Sequence, residues 1–446
     1  MTTDSNMAAR LARGIEKWQP MLTHWRRDFH RHPESGWMEF RTSAAILCAL
    51  RERGFTVTSG QAIFAEAARM GLPAPDAFAR AYQRALDEGV PRDVIEPMKG
   101  GFTGVVGRLK GGRPGPTIGF RFDIDALEVN EADDNEHLPS REGFRSVHPG
   151  LMHACGHDGH AAIGLGLAHL LSDVRNDWPG ELVFVFQPAE EGTRGAAAMA
   201  QAGVVDDCQA LLCCHLGAQS RRTGHVVGGI SHFLATKKLD IRFRGQESHA
   251  ALEPEVGRSA LLGAATALLN LYTIAQHSEG RARVNVGVLQ GGTARNVTAS
   301  EALLKAEIRG ESDTILSFLE RRAREIVHAA AVMHGLQHSI DIVGASPGTG
   351  SDREAVAAVR HAAAQVAEVQ SYDDTRIASA SDDAAALMQR VQQRGGIASY
   401  IIFGSMLLDG HHRPRFDFDE MSLSIGLKVL SLAAWELANR LDRQAN

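Results

Sequence analysis

The sequence lacks the features of a membrane protein, a nucleic-acid-binding protein or a disulfide-rich secreted protein. No apolar run approaches the ~20 residues that cross a membrane, and the segment Met1 to Trp18 lacks the apolar core of a signal peptide. The formal net charge of -6 leaves no basic stripe for nucleic acid. Five cysteines in 446 residues do not make a disulfide framework. We therefore expect a cytoplasmic protein that binds neither membranes nor nucleic acid.

The first half of the chain alternates strand-like and helix-like segments. The chain is 44% hydrophobic, which supplies enough apolar material for two domains or for one domain with an insertion. Two short and wholly apolar runs, Leu182–Phe186 and Ala210–Cys214, predict strands that are buried on both faces, as in a parallel sheet. Thr117–Asp125 and Ser399–Phe403 predict further strands, and His160–Leu171 predicts a helix. This order indicates βαβ units.

Between residues 229 and 344 the pattern changes to strands that alternate apolar and polar residues. Ser259–Gln276 and Asp313–His334 have helical spacing, and the complete order reads βαββαβ. We predict the α/β class, with a mostly parallel sheet over residues 1–228 and 345–446. An α+β domain, with an antiparallel sheet and two helices, is inserted over 229–344. Gln61–Pro97 reads as a smaller surface insertion.

Four separated clusters carry side chains that bind metal ions: His153–His160, Glu190–Glu191, His215 and His411–His412. Each has an ordinary explanation when taken alone, as an incidental Cys-x-His, a solvated acidic pair or a core histidine. Two of them, however, follow the buried strands, and ligands of open parallel sheets bind beyond the carboxyl ends of the strands. Thiolate, imidazole and carboxylate groups that meet there suit zinc or manganese. The clusters together predict a metal site.

Six motifs, in order from Trp25 to Glu420, extend this pattern: WRRDFHRHPESGWMEFRT, RFDIDAL, MHACGHDGH, FQPAEEG, GQESHAA and HHRPRFDFDE. Together they resemble the dimetal aminoacylase/carboxypeptidase family of amidohydrolases. The resemblance implies a metallopeptidase-like catalytic domain, an inserted lid or dimerisation domain, and two divalent metal ions, zinc or manganese. It also implies either a homodimer or a heterodimer with a homologous subunit.

The resemblance assigns roles to the metal-binding clusters. It implies five metal ligands: Cys155, His157, Glu191, His215 and His412. It makes Glu190 the general base and Asp125 the acid that orients a metal-binding residue. A metal ion lowers the pKa of its bound water toward ~7, and a carboxylate can then move the proton to the leaving amine. Whether Asp123 or His411 also touches metal stays open, and His153 and His160 are expected to orient the loop.

The resemblance also places substrate-binding residues in the inserted domain. His249 and Asn296 are expected to hold the tetrahedral oxyanion, and His249 is expected to act across a dimer interface. Arg309 is expected to bind the α-carboxylate, because its planar guanidinium matches a carboxylate bidentately. One departure from the family is Ser381–Asp383, where relatives carry Ser-Glu-Asp. The shortened acid puts the pocket geometry at that point in question.

The implied function is metal-dependent hydrolysis of the amide bond of an N-aroyl amino acid. The most specific form of this expectation is a small-molecule substrate, p-aminobenzoyl-glutamate, cleaved to p-aminobenzoate and glutamate. Two alternatives are a general N-acyl-amino-acid deacylase and a non-catalytic paralogous subunit. The second is disfavoured because every expected ligand and the base are present.

Overall fold

The structure is a computed structural model that describes residues 3–274, 276–378 and 380–445. Its strands are β1 (Thr56–Ser59), β2 (Val105–Lys110), β3 (Arg113–Asp123), β4 (Pro179–Gln187), β5 (Ala210–Leu216), β6 (His225–Val227), β7 (Ile230–His232), β8 (Ala235–Arg244), β9 (Ala282–Gly291), β10 (Glu301–Gly310), β11 (Gln337–Ser346), β12 (Ser371–Asp373), β13 (Arg376–Ile377) and β14 (Ile397–Phe403). Its helices are α1 (Thr3–Arg31), α2 (Phe40–Glu52), α3 (Pro75–Asp87), α4 (Arg92–Ile95), α5 (Leu138–Arg141), α6 (His157–Asp173), α7 (Ala196–Gln201), α8 (Ala260–Leu271), α9 (Asp313–His334), α10 (Arg353–Ala363), α11 (Ala384–Gln393) and α12 (Met421–Ala445).

The chain divides into two compact units, which we call the main unit (residues 1–232 and 350–446) and the inserted unit (residues 233–349). The predicted insertion, 229–344, begins too early because β7 pairs with β13 of the main unit. It ends too early because β11 continues to Ser346, where it still pairs with Thr236 of β8. Both boundaries are set by pairing between strands that are far apart in sequence. A local sequence pattern does not contain that information.

An eight-stranded sheet forms the centre of the main unit, in the order β1-β2-β4-β3-β5-β14-β6-β12. Its four central strands, β4, β3, β5 and β14, run parallel, as the apolar runs predict. β2 pairs antiparallel with β4, and β6 with β14, so the complete sheet is mixed. Every residue of β5 is buried, which agrees with a strand covered on both faces.

Helix α6 lies close to this sheet because glycine faces the aromatic core. A Cβ atom on Gly164 would lie 2.7 Å from the rings of Phe122 and Phe186. Phe122 and Phe186 themselves are almost completely buried. Burying each such ring contributes roughly 1.5–3 kcal/mol. The close approach holds the N-terminus of α6, which begins at His157, against the end of the sheet.

Helix α12 is long and apolar enough to cross a membrane by length and composition alone. In the structure, however, 78% of its most apolar window is buried. Leu427 and Leu430 are fully buried in the core of the main unit. α12 is therefore a core helix.

The inserted unit has the predicted order βαββαβ, formed by β8, α8, β9, β10, α9 and β11. Its strands make an antiparallel sheet in the order β11-β8-β10-β9. α9 has the predicted limits, and the Ser312 side chain caps it by accepting the N–H of Ile315. α8 ends at Leu271 and not at Gln276. The N–H of Thr273 donates to the carbonyl of Asn270 and the N–H of Ile274 to that of Leu271, so the hydrogen bonds there have the three-residue spacing of a turn.

Candidate metal centre

The predicted metal-binding clusters meet at one edge of the main sheet. Asp123 ends β3, Glu190 and Glu191 follow β4, and His215 lies near the end of β5. His411 and His412 lie in the connection after β14, the fourth parallel strand. The carboxyl ends of parallel strands share one edge, which is where ligands bind in such sheets. The sheet thus brings together four segments that are far apart in sequence.

The five residues predicted as ligands fall into two groups that share one sulfur atom. The ligand atoms of Cys155, His157 and His215 lie within 4.8 Å of one another, and so do those of Cys155, Glu191 and His412. Cys155 Sγ is 3.5 Å from His215 Nε2. His412 Nε2 is 3.3 Å from Glu191 Oε1. Such separations match the roughly 3.3–3.7 Å between neighbouring ligands of one tetrahedral zinc ion.

Two of the histidines are held in the tautomer that metal binding needs. His157 Nδ1 donates to the carbonyl of Asp125 at 2.8 Å, and His215 Nδ1 donates to the carbonyl of Leu216 at 2.8 Å. A carbonyl only accepts, so Nδ1 carries the proton in each ring. The lone pair therefore lies on Nε2, and the carbonyl contact is the usual support of a metal-binding imidazole.

Unpaired buried atoms show that this site fits a cation. Among the described residues, His157 Nε2 and Glu191 Oε1 are buried without a hydrogen-bond partner. Such atoms cost ~1–3 kcal/mol each unless something binds them. Burial, together with the nearby Glu191, raises the pKa of the Cys155 thiol, so its thiolate needs a cation beside it. The donor set of sulfur, nitrogen and oxygen suits two divalent ions.

Asp125 fixes the segment that carries both glutamates. Its Oδ1 accepts the N–H of Glu190 and its Oδ2 accepts the N–H of Glu191, each at 3.0 Å. The two glutamates then have different nearest neighbours, although an oxygen of each lies within 4.8 Å of the other and of a His157 ring nitrogen. Glu190 Oε2 lies 4.0 Å from His157 Nε2, whereas Glu191 Oε1 faces His412. Burial, followed by the charge of Asp382, raises the pKa of Glu190, which suits a group that must accept a proton.

Asp123 and His160 form a chain of buried hydrogen bonds next to the predicted ligands. Asp123 Oδ1 accepts from His160 Nδ1 at 2.5 Å, and its Oδ2 accepts from Arg121 Nη1 at 2.6 Å. His160 Nε2 in turn accepts the N–H of Leu216 at 2.8 Å. Both oxygens of Asp123 are thus engaged, although Oδ1 is only 3.9 Å from His157 Nε2. Because both of its oxygens already accept hydrogen bonds, Asp123 is better suited to position its neighbours than to bind a metal ion. His160 is an orienting residue, since it joins Asp123 to the backbone beside His215.

The two C-terminal histidines differ in position. His412 has a left-handed backbone with a φ of 63°, and its N–H donates to the carbonyl of Ala154 at 2.7 Å. Its ring faces Glu191. The His411 ring packs instead against those of His215 and Phe416, at 5.5 and 4.9 Å between centroids. Burial lowers the pKa of His411 to about 4, so His411 is neutral at pH 7.

The unusual Ser381–Asp383 segment lies in a buried network around Arg121, which sequence reasoning missed. Arg121 is fully buried, and its Nη2 lies 3.3 Å from Asp382 Oδ1 and 3.1 Å from Asp383 Oδ1. Asp383 Oδ2 also accepts the N–H groups of Gly195 and Ala196. Asp382, the shortened acid, therefore lies beside a buried network that holds the loop after β4 in place. An arginine within an otherwise apolar strand was the available sequence signal.

A second buried arginine joins helix α1 to helix α6 and to the segment between β14 and α12. Arg26 Nε donates to Asp158 Oδ2 at 2.9 Å, and Nη2 donates to Asp417 Oδ1 at 2.5 Å. Asp158 directly follows His157 and also accepts from His30 Nδ1 at 2.9 Å. Local sequence does not reveal this network because its members come from three distant segments.

The structure separates the three predicted substrate residues within the inserted unit. His249 pairs with Val297, and the N–H of Ala250 donates to the carbonyl of Asn296, so His249 and Asn296 are neighbours. Arg309 lies at the far end of β10, opposite Thr236. About nine strand residues at roughly 3.3 Å each separate the two places. One small substrate therefore cannot touch His249, Asn296 and Arg309 of the same inserted unit.

Comparisons with known proteins find one matching family model and several similar proteins. The model of the family described as peptidase family M20/M25/M40 matches residues 119–436. The chain is 47% identical to indole-3-acetyl-aspartic acid hydrolase from Enterobacter agglomerans. It is 46% identical to one of the subunits of p-aminobenzoyl-glutamate hydrolase from Escherichia coli (strain K12). Each match extends over 421 residues, which is 94% of this chain and 96% of the relative.

Solved structures show the same fold. The aminobenzoyl-glutamate utilization protein from Klebsiella pneumoniae has a TM-score of 0.82 and 40% identity, covering 96% of this chain and 98% of that one. The YXEP protein of Bacillus subtilis, a dinuclear metal-binding M20 peptidase, has a TM-score of 0.66 at 23% identity, covering 95% and 99%. At that identity the second likeness concerns the fold.

Proposed function

The chain belongs to the peptidase M20/M25/M40 family, and we propose that it hydrolyses the amide bond of N-aroyl amino acids. The specific substrate we propose is p-aminobenzoyl-glutamate, cleaved to p-aminobenzoate and glutamate. The observation that carries the proposal is the position of the Glu190 carboxylate beside two ligand groups that share Cys155. The relatives named for aroyl- and indole-acetyl-amino-acid hydrolysis support the substrate class.

The residues of the site divide the chemistry of hydrolysis among them. Bound divalent ions would polarise the substrate carbonyl and lower the pKa of water toward ~7. Cys155, His157, Glu191, His215 and His412 would hold those ions. Glu190 accepts a proton from the attacking water on its carboxylate and returns it to the leaving amide nitrogen. Asp125 keeps Glu190 in place through the backbone N–H.

The substrate contacts we propose require more than one chain. Arg309 would bind the α-carboxylate, in exchange for its present partner Glu307 at 2.7 Å. His249 and Asn296 would hold the oxyanion, which is a transition-state interaction. Because these two lie at the other end of the sheet from Arg309, we assign them to the site of a neighbouring protomer. That neighbour is either a second copy of this chain or a homologous one, and the relative named as one component of a hydrolase supports the latter.

A broader N-acyl-amino-acid deacylase is the second candidate function. The indole-3-acetyl-aspartate hydrolase is as similar to this chain as the aminobenzoyl-glutamate enzyme, which favours tolerance of several aromatic acyl groups. A non-catalytic role is disfavoured because the Glu190 carboxylate, which is suited to act as a base, lies beside the predicted ligands. Zinc and manganese both suit the donor set. We further propose a cytoplasmic location, where a reducing environment keeps Cys155 available as a thiol.

The proposal is tested with the purified chain loaded with Zn²⁺ or Mn²⁺. Release of p-aminobenzoate from p-aminobenzoyl-glutamate is followed by chromatography, with indole-3-acetyl-aspartate and N-acetyl-glutamate as comparison substrates. We expect the aminobenzoyl conjugate to have the highest kcat/KM. Comparable values for all three would favour the broader deacylase. No hydrolysis of any of them, by the fully metal-loaded chain either alone or combined with a homologous subunit, would contradict the proposal.

A further inference from the structure

The connection between β1 and β2 leaves the sheet at the edge where the metal ligands meet. Ser59 pairs with Val105, and Val105 pairs with Phe186 near the carboxyl end of β4. Glu190 and Glu191 follow the same end of β4. Hairpin connections usually have 2–5 residues, whereas this one extends over residues 60–104. Long ordered connections at a ligand edge commonly contribute to binding.

One turn of this connection, Arg69–Pro73, is tied directly to the metal-binding loop. Arg194 Nε donates to the carbonyl of Glu191 at 2.7 Å, and Arg194 Nη1 donates to the carbonyl of Gly71 at 3.1 Å. A single arginine side chain thus spans the separation between the turn and a predicted ligand. The turn therefore lies within one arginine side chain of the backbone of this loop.

Hydrogen bonds and cation–π contacts hold the side of the turn that faces the rest of the protein. Trp37 Nε1 donates to the carbonyl of Met70 at 2.9 Å. The Arg69 guanidinium lies over the rings of Trp37 and Phe102, at 4.6 and 3.9 Å from their centroids. Arg69 also donates to the carbonyl of Gly100 at 2.6 Å. Since its carbonyls and its arginine are bound inward, the turn has a fixed shape before a substrate arrives.

An apolar side chain remains exposed on this rigid turn. Leu72 is 49% exposed, although it lies in a segment fixed on both sides by hydrogen bonds. An isolated exposed leucine needs no explanation, but here it stands on a preformed turn beside the metal edge. Aromatic ligands are bound mainly by apolar contacts on largely preformed walls.

We propose that the turn Arg69–Pro73 is a wall of the acyl subsite and that Leu72 contacts the aromatic ring of the acyl group. The inference rests on the proposed function and adds the residues that select the acyl group. The proposed function assigns no residue to the acyl end of the substrate, and the turn belongs to the same unit as the predicted metal ligands. The occupant is an aminobenzoyl-type ring, and it is not the glutamate side chain.

The test compares Leu72→Ala with wild type on two conjugates of the same amino acid, p-aminobenzoyl-glutamate and N-acetyl-glutamate. We expect kcat/KM for the aroyl conjugate to fall ~10-fold, the typical effect of losing an apolar pocket contact. For the acetyl conjugate, which has no ring to contact Leu72, we expect less than a ~2-fold change. Met421→Ala is the matched control, because Met421 is 54% exposed and lies beside α1.

Product binding supplies a second measurement. Inhibition by p-aminobenzoate should weaken in Leu72→Ala, whereas inhibition by glutamate should not change. Equal losses on both conjugates would show that the turn acts only through the metal-binding loop, and would overturn the inference. If Leu72→Ala instead changed the preference between glutamate and alanine conjugates, the turn would contact the amino-acid part of the substrate. That result would also overturn the inference.

Failure of the proposed function would look different. Wild type would then hydrolyse no aroyl conjugate, and the kinetic comparison would have no baseline. Calorimetric binding of p-aminobenzoate to the metal-loaded wild type and to Leu72→Ala would still test the subsite. Weaker binding in the variant would support it, and equal binding, or no binding to wild type, would contradict it.

Discussion

Asp125 accepts the backbone N–H groups of both Glu190 and Glu191, one on each carboxylate oxygen, at 3.0 Å. The carbonyl of Asp125 also accepts from His157 Nδ1. One residue thus holds the predicted base and two predicted ligands in a common frame. Because Glu190 lies nearest His157 and Glu191 lies nearest His412, the two glutamates can have different roles although they are adjacent in sequence.

Glu190→Gln is expected to keep its metal but to lower kcat by ~10²–10⁴-fold, because the amide cannot accept the proton. Glu191→Gln is expected to lose metal, because it removes a ligand oxygen. Elemental analysis and kcat, measured on the same preparations, check both variants. Metal loss from Glu190→Gln with retention in Glu191→Gln would reverse the two roles.

The neighbouring histidines His411 and His412 form a matched pair for metal binding. His412→Ala should release at least one ion, because His412 belongs to the ligand group of Cys155 and Glu191. His411→Ala should retain both ions, since the His411 ring packs against His215 and Phe416. The metal-to-protein ratio after gel filtration measures the difference. Equal loss from both variants would make His411 a ligand as well.

Cys155→Ser should weaken both metal positions together, because Cys155 Sγ is common to the two groups. A hydroxyl is a poor replacement for a thiolate. His215→Ala should empty one position and leave the other filled. Titration of the metal-free variants with Zn²⁺ gives the number of sites. If Cys155→Ser still bound two Zn²⁺ ions with unchanged affinity, Cys155 Sγ would not be a ligand that the two ions share.

Arg26 and Arg27 are adjacent but should differ in their effect on stability. Arg26→Gln leaves Asp158 and Asp417 buried without their cation, and breaking such a pair costs ~3–5 kcal/mol. Arg27 is 30% exposed, so Arg27→Gln should cost ~0–1 kcal/mol. Denaturant unfolding of the metal-free proteins measures both. Zn²⁺ affinity should fall for Arg26→Gln alone, because Asp158 adjoins His157.

The raised pKa of His30 leads us to expect that the protein loses stability at alkaline pH. Burial lowers its pKa, but Asp158 and Glu131 outweigh burial and raise the pKa to about 9. A pKa raised by folding stabilises the protein fully below the unfolded value of ~6.5 and loses that contribution as the pH rises through about 9. The free energy of unfolding of metal-free protein should therefore fall over this range. His30→Gln, which does not titrate, should show a shallower fall, and an identical slope would contradict the assignment.

Mixing His249→Ala with Glu190→Gln tests the shared site. Each variant is expected to be inactive alone, because one lacks the oxyanion contact and the other lacks the base. If His249 serves the site of a neighbouring protomer, mixed dimers contain one intact site and regain activity. Mixtures that exchange protomers, as native mass spectrometry can show, but regain none would confine His249 to its own chain or to a different partner.

The sequence by itself determined the elements and the ligand types of this protein. Unbroken apolar runs identify β4 and β5, because a strand buried on both faces has no polar positions. Alternating runs identify the strands of the inserted unit for the opposite reason. Cysteine, histidine and glutamate placed after such strands indicate a metal site, because parallel strands end at a common edge.

Only the tertiary structure decided which atoms meet. Cys155 joins two ligand groups because α6, the end of β5 and the connections after β4 and β14 converge on its sulfur. Arg26 and Arg121 are buried because acids from distant segments surround them, and burial without those acids would be too costly. His249 and Arg309 are separated by the length of β10, which sequence spacing does not reveal. Contacts of this kind depend on pairing across the chain, and local patterns do not contain them.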